Sequence, residues 1–155
     1  MDLKLMAEIY RLGISIGYYN VQDVIKWADK VIENLDSPPY EIIDISLSAK
    51  EKPIDICFKL KCFKGEIQND LPPKIILGLL NEYLNKSGDT SEVIQMMDRL
   101  NDHMLESFEW IEKEFHYFSD AFYLAEQKKY GNKSEVISDL KQFLIQIGDY
   151  TKYLP

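Results

Sequence analysis

Histidine, cysteine and paired carboxylates are the first places to look for chemistry in this 155-residue chain, and each gives little. His103 and His116 are thirteen residues apart. On one helix that spacing turns them about 220° apart, so they would not share a metal ion. Glu112 and His116 stand at i, i+4, where a surface hydrogen bond is the ordinary outcome. There is no Glu-x-x-His pair of the di-iron type, no His-Glu-x-x-His, no Cys-x-x-Cys, no phosphate-binding glycine loop and no Gly-x-Ser-x-Gly elbow. The expectation is a chain without catalytic residues, metal or cofactor. A site assembled only by folding is the alternative.

The informative pattern is charge. The chain carries −8 overall. Residues 89–120 hold nine acids and two bases, a net −7. Residues 1–88 have 13 acids and 11 bases, and residues 121–155 have four acids and five bases. Asp98, Asp102, Glu106 and Glu109 follow at i, i+4, i+8 and i+11, one stripe if the segment is a single helix. Like charges at that spacing repel by a few tenths of a kcal/mol per pair. A solvated face is one reading. A docking face for a basic protein is the other, because a single-signed field steers association. Trp110 falls outside the apolar stripe, where it is an interface anchor or packs on a neighbouring helix. The candidate partner-binding set is therefore Asp98, Asp102, Glu106, Glu109 and Trp110. The same acidity argues against nucleic acid and against anionic membranes as partners.

The elements that would position these residues are helices. The length suits one domain with its own core. Val21, Val24, Ile25, Ala28, Val31, Ile32 and Leu35 trace an amphipathic helix, with Asn20 as N-cap, Asp23 in the first turn and Trp27 at the stripe's edge. A second helix starts at Pro38-Pro39. Residues 53–63 fit either a strand or a short helix, and helix is preferred because no second strand exists to pair with one. A fourth helix starts at Pro72-Pro73 and stops at Ser87-Gly88-Asp89. Apolar spacing from Val93 to Phe118 predicts one long acidic helix capped by Thr90 or Ser91, which restarts at Ser119-Asp120 or continues to about Tyr130. Gly131-Asn132 breaks it. Ser134 and Glu135 open the last helix, Gly148 closes it, and the tail is irregular. Aromatics crowd residues 108–130, as packing between helices or, alternatively, around a ligand. The prediction is a single all-α domain of about six helices, an irregular bundle or a short hairpin stack.

Asp36-Ser37-Pro38-Pro39 and Asp70-Leu71-Pro72-Pro73 are 34 residues apart, a helical-hairpin repeat length. At that offset Val24 aligns with Phe58, Ala28 with Cys62, and Ile43 with Leu77. Cys57 and Cys62 are the only cysteines. About 140° apart on a helix, they are expected to be reduced core residues in a cytoplasmic protein. The N-terminus does not read as a signal peptide, and no stretch approaches the ~20 apolar residues of a membrane span.

The segment Asp23-Val24-Ile25-Lys26-Trp27-Ala28-Asp29, followed by Pro38-Pro39-Tyr40-Glu41-Ile42-Ile43-Asp44-Ile45-Ser46-Leu47, resembles a bacterial domain of unknown function common in Bacillus and its relatives. The match covers about residues 13–50. Members of that family are suspected immunity proteins of polymorphic toxin systems. The resemblance implies a toxin as partner and a structural role for the motif, with Trp27 and the Pro-Pro turn fixing two helices together. It implies no catalytic residue. An oligomerising regulatory or scaffold domain is the alternative, and the chain itself is expected to be a monomer or homodimer.

Overall fold

The computed structural model describes residues 2–106, 108–129 and 131–155, and among them the protein is all-α, with eight α-helices and no strand. The helices group into two compact units that divide between Gln68 and Asn69.

The first unit contains α1 (Leu3–Ile16), α2 (Val21–Asn34), α3 (Tyr40–Ser46) and α4 (Pro53–Lys61). Helix α1 was not anticipated. Asp2 caps it by accepting the Leu5 amide at 3.1 Å, and Gly17 ends it at φ +85°, a left-handed position that suits glycine. It is buried on nearly every side, and the buried set includes Glu8 and Arg11. Two charges in the middle of the buried set blur its apolar period. They satisfy one another, with Arg11 Nε donating to Glu8 Oε2 at 2.8 Å and Nη2 to Oε1 at 2.5 Å.

Asn20 and Asp23 form a reciprocal capping box on α2, both bonds at 2.9 Å. Trp27 is buried rather than marginal. It stacks on Tyr10 of α1 at 4.9 Å and lies 5.9 Å from Phe63, so it ties α2 to α1 and to the chain beyond α4. Helices α2 and α3 do pack together. One link between them is a hydrogen bond from the Ser46 hydroxyl to Asp29. Residues 53–61 are helical, with Ile56 and Leu60 inward. Lys59 reaches from α4 to Asp44 at 3.0 Å, Ser48 at 2.8 Å and Glu51 at 2.6 Å. The cysteines are free, but Cys57 is half-buried and Cys62 is exposed, so the core placement expected of them is corrected. The apolar run around Cys62 belongs to a helix with one buried edge.

The second unit contains α5 (Leu71–Ser87), α6 (Thr90–His103), α7 (Glu109–Glu126), α8 (Lys133–Ile147) and a short 3-10 turn, Thr151–Tyr153. Each helix packs on the next and α8 returns to α5, so the four close into a bundle. The tail is not loose: the 3-10 turn packs on α5, where a Cβ on Gly78 would stand 3.0 Å from Thr151 Cγ2. The two Pro-Pro segments are not equivalent. Pro39 is the N-cap of a seven-residue helix, whereas Pro72 and Pro73 lie inside the first turn of a 17-residue one. All three aligned pairs also disagree in burial: Val24, Ala28 and Leu77 are buried, while Phe58, Cys62 and Ile43 are exposed.

A candidate protein-binding surface

The acidic segment is a helical hairpin. The predicted single helix from residue 90 is broken at Met104, whose backbone turns extended (ψ 143°) after its amide closes on the Leu100 carbonyl. Phe108, also extended, precedes α7 without a side-chain cap. Ser119-Asp120 lies within α7, so no restart occurs there, and the expected continuation to about Tyr130 is corrected: α7 ends at Glu126, with Gln127 as its C-cap. The start is Asp89, not Thr90 or Ser91: its carboxylate accepts the Glu92 amide at 3.1 Å. Breaking the helix lets both halves bury an apolar face. Helix α6 turns in Val93, Ile94, Met97 and Leu100, and α7 turns in Ile111, Phe115, Phe118 and Phe122. Phe115 and Phe118 meet Phe143 of α8 at 6.4 and 5.4 Å, so these aromatics pack between helices.

The stripe of four acids is accordingly divided. Asp98 faces inward, half-buried, and accepts the Ser119 hydroxyl of α7 at 2.9 Å. Burial pushes its carboxyl above the usual range; the Ser119 bond and His116 pull it back, and Asp102 and Asp120 push it up again. Asp102 is exposed in the last turn of α6. Glu106 is exposed in the connection and accepts Asn69 Nδ2 at 3.0 Å. Glu109 is the first residue of α7 and is exposed. Trp110 is 43% exposed and lines a shallow cleft of about 420 Å³ with Phe143, Tyr150 and Lys74. Leu105 is 55% exposed in the same corner.

Helix electrostatics explains some of these acids and not others. Glu109 and Glu112 stand in the first turn of α7, where the macrodipole favours negative charge. Asp102 stands at the opposite pole of α6, where it is unfavourable. His103 beside it has the favourable sign when protonated. The histidines lie on different helices, so the separation expected of them on a single helix does not apply. His116 Nε2 is 3.8 Å from Glu112 Oε1, the neighbouring pair the spacing suggests. Among the described residues, no three His, Cys, Asp or Glu side chains come together to hold a metal ion.

A second acidic feature was not legible in the sequence. A cleft of about 590 Å³ between α7 and α8 is lined by Asp120, Glu135, Asp139 and Tyr117, with the Tyr117 hydroxyl 3.5 Å from Asp139. It depends on which face of α8 packs against α7, and spacing within one segment does not report that.

The chain matches no protein-family model, no curated protein and no solved structure. Among the described residues, no helix is long and apolar enough to cross a membrane.

Proposed function

We propose that this chain is a non-catalytic protein-binding domain whose α6–α7 corner docks a basic protein. The observation that carries this reading is the composition of that corner. Within nine residues it exposes Asp102, Glu106 and Glu109 together with two large apolar side chains, Leu105 and Trp110. Acids around an apolar anchor match the polar rim and aromatic centre of a protein interface. Asp102 adds to the argument, because α6 itself gains nothing from a negative charge at that end. The α7–α8 cleft, toward the opposite end of α7, carries the same sign with three further carboxylates, room for a lysine or arginine side chain. Asp98 is left out of the contact set, since it points into the hairpin.

The resemblance carried by residues 23–47 supplies the kind of partner: a toxin that the chain neutralises by covering it. The motif residues Trp27, Asp29 and Ser46 hold the first unit together and do not touch the partner in this reading. The test is protection. In this reading a neighbouring gene encodes the toxin, and cells that express it should survive with the wild-type protein and die with Asp102→Lys/Glu106→Lys at equal expression. Survival with that variant removes the corner from the mechanism.

A further inference from the structure

The first unit presents an apolar face that its own core does not use. On α3 and its C-cap, Tyr40, Ile43 and Leu47 share one side and are 75%, 36% and 81% exposed. On α4, Ile54 and Phe58 are 63% and 61% exposed, and exposed Cys62 continues the line at i, i+4, i+8. The opposite sides of the same helices carry the buried Ile42, Ile45, Ile56 and Leu60. Helices α3 and α4 pack on each other, and each carries its exposed stripe apart from its own buried residues. If a large side chain offers ~200 Å², the five large residues leave on the order of 600 Å² of apolar surface in water. That is the upper end of what a soluble monomer exposes in one patch.

Charge narrows the occupant. Residues 40–62 hold four acids and four bases, a net of zero. Lys59 is engaged with Asp44 and Glu51, so three of these charges are paired within the unit. The face therefore has no net sign with which to select an oppositely charged partner, and none with which to repel a copy of itself. Residues 89–120, at −7, would repel their own copy strongly.

We propose that the α3–α4 face is closed by the same face of a second copy, in a two-fold homodimer. A two-fold contact needs a self-complementary patch, which a neutral apolar surface provides. A standard interface takes ~800 Å² from each partner, a little over half of it apolar. The exposed side chains supply that apolar share. The contact uses none of the residues of the acidic corner, so it goes beyond the partner-docking reading and does not depend on it.

Light scattering on the eluting full-length protein, across a wide concentration range, tests this. The expected result is twice the 18.2 kDa chain mass, reverting to the chain mass in Leu47→Glu and in Phe58→Glu. Both positions are exposed, so circular dichroism should show unchanged helix. Asp102→Lys/Glu106→Lys should stay dimeric, and added salt should not dissociate the dimer. The proposal is overturned by a chain-mass monomer at every concentration, or by a dimer that survives both glutamates. Dissociation by salt or by the corner reversal also overturns it, since that places the contact on the acidic face. So does a monomer that floats with phosphatidylcholine vesicles through Phe58, which assigns the face to lipid.

Discussion

The Ser119 hydroxyl donates to the Asp98 carboxylate across 2.9 Å, although 21 residues separate them. On one straight helix that separation would be about 30 Å at 1.5 Å per residue. The bond therefore reports the hairpin directly, and it draws one acid of the stripe into the fold. A carboxyl raised by burial binds its proton more readily in the folded chain than in the unfolded one. Its ionised form therefore opposes folding near neutrality, and the opposition fades as pH falls into the carboxylate range. Asp98→Asn should keep an acceptor for Ser119 and melt higher than wild type near neutral pH, the advantage shrinking on acidification. Ser119→Ala should cost about 1 kcal/mol. Thermal melts across pH check both.

The buried Glu8–Arg11 pair gives a sharper stability test. Removing either partner breaks a buried ion pair inside α1, a change that costs about 3–5 kcal/mol. Glu8→Leu and Arg11→Met should each be severely destabilising in urea melts. The double variant should recover much of the loss, because it leaves no charge to bury. Equal and additive losses would show that the pair does not act as a unit.

Gly13 is required by proximity. A Cβ there would come within 2.1 Å of the Tyr19 ring, which itself lies 4.7 Å from Tyr10. Gly13→Ala should destabilise by ~1–3 kcal/mol through overpacking, despite the better helix propensity of alanine. A neutral or stabilised variant in denaturant melts would show that the ring moves freely aside.

Lys59 should set a pH signature on the first unit. Hydrogen bonds from Lys59, and to a lesser extent Ser48, hold Glu51 below the usual carboxylate range. Bonds to Glu51 and Asp44 hold Lys59 above its own ordinary value. Stability from Glu51 is thus present at neutral pH and lost as pH falls through its lowered pKa; stability from Lys59 is lost only at high alkalinity. Lys59→Met should melt below wild type near neutrality, and the two curves should converge in acid.

Local signals were legible and long-range ones were not. Asn20 with Asp23, Gly88 and Gly131-Asn132 mark helix ends through their own backbone chemistry, and the structure places ends there. The helical choice for residues 53–61 followed from the want of a pairing strand, and it holds. Helix α1 was missed because Glu8 and Arg11 pair with each other inside the buried set. The corner was missed because Met97, Leu100, Met104, Phe108 and Ile111 keep helical spacing straight across it, with no glycine or proline to mark it. One signal was present: Asn101, Asp102 and His103 are three weak helix formers in a row. Of the candidate residues, Asp102, Glu106, Glu109 and Trp110 are exposed at the corner, and Asp98 is not. That difference arises from packing against α7, which periodicity within one segment does not contain.

The proposed binding of a basic protein by the exposed acids of the α6–α7 corner has a direct physical readout. Titration calorimetry of the purified chain against the basic toxin domain proposed as its partner is the decisive measurement. Binding should weaken with added salt and be lost in Asp102→Lys/Glu106→Lys, while Asp98→Asn binds as wild type. Equal affinity of the charge-reversed and wild-type proteins, with both folded, would contradict it.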